Sequence, residues 1–208
     1  MAKSNYGIVG AFNGTVGPVV GYDWKGRNCM RGRVAPSNPR TERQQRGRSG
    51  FGATAHLWGL MRRAAEFGLR GEARAEGVEE INLFVRYNRQ CISVEGAEVR
   101  IDYARLRLAE GNLAGVQFAA PARVGERSVE VGFSQLAERA GSMDDYVLLF
   151  AYAAGLEEGQ LSQPVERRAS QVEIPLPSHW SGQQVQLYGF AWDGDCEASP
   201  SVFIGTLV

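Results

Sequence analysis

Tyr6–Arg33 reads YGIVGAFNGTVGPVVGYDWKGRNCMRGR, and no charge falls between Lys3 and Asp23. Gly7, Gly10, Gly14, Gly17 and Gly21 recur at steps of three and four, with the apolar pairs Ile8-Val9, Ala11-Phe12 and Val19-Val20 between them. That spacing would set the glycines on one helical face. Yet Gly, Val, Thr, Asn and Pro18 all propagate a helix poorly in water. β-branched residues punctuated by Gly and Pro predict two or three short strands joined by tight turns. Asn13-Gly14 is expected to form a type I′ hairpin turn, and Lys25-Gly26 a second turn.

Sharper readings of this stretch fail. Phosphate-cradling loops carry GxxxxGK[ST] or GxGxxG between strand and helix, and neither occurs here. The uncharged run has too few large apolar groups for a membrane span and is too interrupted for a secretory signal. We therefore expect no membrane span and synthesis in a cytoplasm, compatible with release as an extracellular or virion-type assembly. A ribbon of two strands buries one face at best, which does not offset the entropy of ordering it. It must lie on another sheet, in its own chain or in a neighbour's.

The 208-residue length suits one large domain or two small ones. Twenty-six glycines and eight prolines indicate many turns. Cys29, Cys91 and Cys196 are widely spaced and form no CxxC pair, so neither a disulfide framework nor a zinc site is expected. Zero net charge hides a division: residues 1–70 hold twelve Lys+Arg against three acids, and residues 71–208 hold eleven Arg against twenty. Such asymmetry points to nucleic acid or to an electrostatic partner, which can be a second copy of the chain; the plain alternative is neutralisation within one fold.

Beyond the proline-marked connection at Val34–Arg40, Thr41-Glu42-Arg43-Gln44 fits a capping box. Phe51, Ala55, Trp58, Met61/Arg62 and Ala65 then predict an amphipathic helix over roughly 42–68, weakened near Gly47, Gly50 and Gly52. Arg40, Arg43, Arg46, Arg48, Arg62 and Arg63 are candidates for phosphate contact or charge pairing. Gly71–Gly77 reads as a polar linker and Val78–Ile92 as a second helix, with short extended pieces at Val94 and Val99–Tyr103. From Gly111 the texture becomes β: Val116–Ala120, Ser128–Phe133, Tyr146–Ala151, Gln171–Ile174, Val185–Trp192 and Val202–Leu207. With Leu106–Leu113 counted, about seven strands match an immunoglobulin- or fibronectin-like antiparallel sandwich. The expected fold is β-rich α+β: a Gly-rich β-ribbon (1–40), a helical segment with short strands (41–103) and an Ig-like β-sandwich (104–208).

The opening GxxGxxxGxxGPVVGYxWKG, Arg31, TERQQRGRSGF, VRYN and the late IPLPSHWSG with SPSVFIG resemble a family of uncharacterised proteins from Bacteroidota, over nearly the whole chain. The resemblance implies a coherent unit without assigned activity and adds no catalytic residues. A Gly-ribbon ahead of a sandwich is also similar in kind to self-assembling surface or virion proteins.

No constellation of catalytic or ligating residues emerges. His56 and His179 are far apart in sequence and read as structural. Asp193-Gly194-Asp195-Cys196-Glu197 lacks calcium-loop spacing and reads as a hairpin turn. Asp144-Asp145 and Glu157-Glu158 are adjacent pairs whose side chains diverge, Asn82 and Asn88 read as capping or core groups, and no GxSxG is present. The expectation is a non-enzymatic structural protein without cofactor or metal that assembles with copies of itself. Tyr6, Ile8, Phe12, Val16, Val20, Tyr22 and Trp24 would be the docking residues. The alternative is a binding module, for nucleic acid through the Arg40–Arg63 face or for glycans through Trp180, Tyr188 and Trp192.

Overall fold

The computed structural model describes residues 2–3, 12–35, 37–38, 40–96, 98–124, 127–136 and 141–207. The fold is β-rich α+β, as its composition implies, and divides into two compact units, Met1–Thr41 and Glu42–Val208.

In the first unit β1 (Ala2–Lys3), β2 (Gly14–Val16), β3 (Val19–Trp24) and β4 (Arg27–Gly32) form an antiparallel sheet in the order β1-β4-β3-β2. The expected ribbon is present, with one turn relocated. Lys25 and Gly26, at φ 54° and 71°, close a two-residue hairpin between Trp24 and Arg27, the positive-φ pair a type I′ turn needs. Asn13-Gly14 makes no turn; Gly14 opens β2 opposite Gly21. The reversal falls at Gly17-Pro18 instead, where Gly17 takes φ 54° and the proline ring fixes the negative φ that follows. This choice pairs Thr15 with Val20 and Val16 with Val19, a β-branched contact on each face.

The second unit opens with α1 (Glu42–Glu76), which runs through the stretch expected to be a linker. Glycine is there for close approach rather than flexibility. A Cβ on Gly68 would sit 2.4 Å from Leu108 O, and one on Gly71 would sit 2.6 Å from Cys196 O. The helix ends at Gly77 (φ 67°) in a Schellman motif: Val78 N donates to Ala73 O at 3.0 Å and Gly77 N to Arg74 O at 3.4 Å. The buried stripe is Thr54, Leu57, Met61, Ala64, Ala65, Gly68 and Leu69. This corrects the expected Phe51–Ala55–Trp58 stripe, because Phe51 is 57% exposed and Trp58 only half-buried against Phe84. α2 (Glu80–Asn88) follows, then a 3-10 turn and the hairpin β5 (Ile92–Glu95) and β6 (Glu98–Ile101).

Two antiparallel sheets complete the unit. One joins β7 (Val116–Phe118) and β8 (Ala122–Val124) to one side of β9 (Ser128–Gln135), with β13 (Gln171–Pro175) on the other. The second runs β11 (Glu158–Leu161), β10 (Tyr146–Ala153), β14 (Val185–Trp192), β15 (Val202–Leu207), and β12 (Val165–Glu166) also pairs with β10. Leu106–Leu113 is no strand. Leu106, Leu108 and Ala109 drop into the core from irregular backbone, where Leu108 N donates to Ser201 Oγ at 2.9 Å.

Alternation along β10 and β14 makes two cores. Leu148, Phe150, Tyr152, Tyr188 and Phe190 meet Leu57, Met61 and Leu69 of α1, while Val147, Leu149, Ala151, Val185 and Leu187 meet Val129, Val131, Val172 and Ile174 of the facing sheet. The helices of 41–103 thus share a core with the strands after 104. One buried polar pin crosses the sandwich rim. Arg167 donates to Gln135 Oε1 at 3.0 Å and to Ala114 O, and its Nε lies 3.4 Å from Asp145 Oδ2. Burial lowers the guanidinium pKa, and Asp145 opposes that shift.

Candidate assembly surfaces

The ribbon divides its expected docking residues between two faces. Val20, Tyr22 and Trp24 alternate along β3 and pair with Arg31, Cys29 and Arg27 of β4, so these six share one face. Trp24 is 53% exposed, with Lys25 Nζ 5.3 Å from its ring centroid, and Val20, Tyr22 and Arg31 line a concavity of about 310 Å³. Tryptophan, tyrosine and arginine together are the composition of interface hot spots. Val16, 61% exposed, belongs to the other face. There half-buried Phe12 covers Gly21, whose missing Cβ would lie 2.3 Å from Phe12 O. Tyr6 and Ile8 fall outside the described residues.

Three of the four sandwich margins carry prolines or charges. β7 and β8 are separated around Pro121, β11 and β12 around Pro164, and β13 exposes Gln171 and Glu173 before ending at Pro175. Prolines and charges of this kind discourage edge-to-edge pairing. β15, Val-Phe-Ile-Gly-Thr-Leu, contains neither. Among the described residues no strand pairs with its outer edge, and its one irregularity is a bulge between the Leu187–Gly205 and Tyr188–Phe203 pairs. Val202 is 42% exposed, and Thr206, at the far end of the strand, is also exposed, its hydroxyl donating to Gln186 Oε1 of β14 at 2.7 Å.

The six candidate arginines do not form one face. Arg40 is exposed ahead of α1 with φ 49°. Arg43, Arg46, Arg48, Arg62 and Arg63 all lie on α1, but at about 100° per residue they spread around its axis, and about 28 Å of helix separates Arg43 from Arg62. Arg46 is paired with Glu42, and Arg62 with Glu66 at 2.6 Å. Nor do the three aromatics offered for glycan contact make a platform. Trp180 and Tyr188 are buried, and Trp192 is half-buried against Phe67 and Tyr146.

Both histidines reach the β10–β11 hairpin, which sequence distance gave no means to foresee. His56 Nε2 lies 3.2 Å from Glu157 Oε1, and His179 Nε2 lies 2.6 Å from Glu158 Oε2. Trp180 Nε1 also donates to Glu158 at 2.8 Å, and these partners hold that carboxyl below its ordinary range, the indole most strongly. Asp193 caps the β14–β15 loop, accepting from Asp195 N at 2.8 Å and Glu197 N at 3.0 Å. Asn88 is a core hydrogen-bonding group, as expected. No cluster of three or more His, Cys, Asp or Glu able to hold a metal occurs among the described residues. No described helix is long and apolar enough to cross a membrane.

One family model matches residues 11–205, from the ribbon through most of β15. The chain belongs to DUF6266, a family of unknown function. The DUF6266 match takes in both compact units. No curated protein and no solved structure matches the chain.

Proposed function

We propose that this DUF6266 chain is a non-enzymatic structural protein that assembles with copies of itself, as a filament, surface fibre or virion-like coat, by strand docking between subunits. The observation that carries the reading is β15: an uncharged six-residue margin whose outer edge pairs with no strand among the described residues. The strand order, with β13-β9-β7 facing β11-β10-β14-β15, supports an immunoglobulin-like sandwich complete in its own chain. A partner strand therefore adds at the margin rather than entering a vacant groove.

The occupant proposed for that margin is the ribbon of a second copy. The ribbon exposes Lys25, Arg27, Arg31 and Arg33, and the loop leading to β15 exposes Asp195 and Glu197. Opposite charge favours encounter and register, and a head-to-tail contact between unlike surfaces propagates into rings or open fibres.

Sedimentation velocity and electron microscopy of the full chain test this. The wild type is expected to form large species, and Val202→Lys/Thr206→Lys to stay monomeric with unchanged circular dichroism. A monomeric wild type at high micromolar concentration, or a double variant that assembles equally well, overturns the proposal.

A further inference from the structure

Residues 71–208 hold eleven arginines against twenty acids, yet Arg86, Arg105 and Arg107 line one concavity of about 250 Å³. It lies where α2 and the following 3-10 turn meet the irregular segment after β6, and Tyr87, Gln90 and Cys91 complete its lining. About twenty residues of sequence separate Arg86 from the other two. Buried groups bring them together.

Asn88, fully buried, donates from Nδ2 to Phe84 O at 3.0 Å and to Arg107 O at 2.8 Å, and its Oδ1 accepts from Arg107 N at 2.7 Å. Cys91 Sγ donates to Arg105 O at 3.3 Å. The backbone that presents Arg105 and Arg107 is thereby pinned from below by side chains of another segment. That is a built platform, not a chance grouping of surface charge.

The acids nearby leave guanidinium donors over, although Glu72, Glu76 and Glu110 match the three arginines in charge. Arg86 donates to Glu76 through both Nη atoms at 2.9 and 2.8 Å. Arg107 donates to Glu110 at 3.1 Å, with its guanidinium 5.8 Å from the Tyr87 ring centroid. Glu72 accepts from the Tyr87 hydroxyl. Each guanidinium has five N–H donors, so Arg86 and Arg107 keep some free. Arg105 is exposed and has no ion-pair partner among the described residues.

We propose that this concavity binds a phosphate group, free or esterified, with Arg105 as its principal ligand and Arg86 and Arg107 flanking it. Guanidinium forks approaching from separate chain segments suit the several oxygens of a tetrahedral phosphate better than the two coplanar oxygens of a carboxylate. The site is independent of the assembly reading.

Calorimetric titration of the full chain with inorganic phosphate and with phenyl phosphate at low ionic strength tests it. A saturable single site is expected, weakened about tenfold in Arg105→Gln, which loses charge-assisted hydrogen bonds, and unchanged in Arg168→Gln, whose side chain pairs with Asp144 and Glu166 elsewhere. The tighter of the two probes identifies the free or the esterified source. Absence of binding for both probes overturns the proposal, as does equal binding by Arg105→Gln with folding verified by circular dichroism.

Discussion

β14 and β15 lie side by side in one sheet, and neither contains a charged residue. In β14 the surroundings account for that. It has β10 on one edge and β15 on the other, the helix-side core against one face and the sandwich core against the other, and every residue from Val185 to Ala191 is buried. Among the described residues β15 pairs with a strand on one edge only, and it exposes Val202 and Thr206. Identical avoidance of charge thus has two settings. Burial on all sides excludes charge from the first strand; in the second, packing excludes it at Phe203, Ile204 and Leu207, but the exposed Val202 and Thr206 are not so constrained. The uncharged, exposed positions Val202 and Thr206 on this margin are what the assembly proposal rests on.

The largest predicted effect widens this contrast. Phe190→Ala empties a fully buried position between β14 and the helices and should cost about 3–5 kcal/mol in urea unfolding. Val202→Lys on the neighbouring strand should change stability by no more than about 0.5 kcal/mol. Comparable losses at the two sites would mean that the outer side of β15 is covered within the same chain, and the contrast would break.

A smaller effect sharpens the account of why β14 tolerates no addition. A Cβ on Gly189 would lie 2.4 Å from the ring of Phe118 across the sandwich. Gly189→Ala should therefore destabilise by about 1–3 kcal/mol, despite replacing a residue that weakens strands. Combining it with Phe118→Leu should recover part of the loss, and the non-additivity in a double-mutant cycle measures the contact. Additive costs would show that backbone strain, not the aromatic ring, demands glycine at this position.

How far the sequence disclosed this architecture depended on the length of each signal. β14 and β15 were legible to the residue because runs of six to eight uncharged, mostly apolar residues end at Asp193 or begin after Pro200. β8, β11 and β12 were not, since strands of two to four largely polar residues have no period to read. Leu106–Leu113 shows the converse: leucines alternate there as in a strand, but Asn88 and Ser201 hold its backbone in an irregular path. Gly71 read as the start of a linker because glycine breaks helices in isolation, whereas close approach to Cys196 O requires it there. For the assembly surfaces, the ribbon and its Tyr22–Trp24 row were visible locally. Convergence of Arg86 with Arg105 and Arg107, and of both histidines on one hairpin, is long-range and left no local trace.

The smallest effect concerns the opposite margin of the sheet, where β11 opens with Glu158, a charge of the kind β15 lacks. Its carboxyl is held below the ordinary range first by the Trp180 indole N–H and then by His179. A depressed folded pKa means that the stabilisation is present above the unfolded value of about 4.3 and is lost as pH falls through the folded one. The thermal midpoint of wild type minus that of Glu158→Gln should be steady near neutrality and shrink toward zero on acidification below about pH 4. With half of its side chain exposed, the difference will be modest at any pH. A gap that persists in acid would show that docking of Trp180, rather than the carboxylate charge, secures this margin. The charge would then be left to face neighbours as a barrier to pairing, which is the role that no residue of β15 fills.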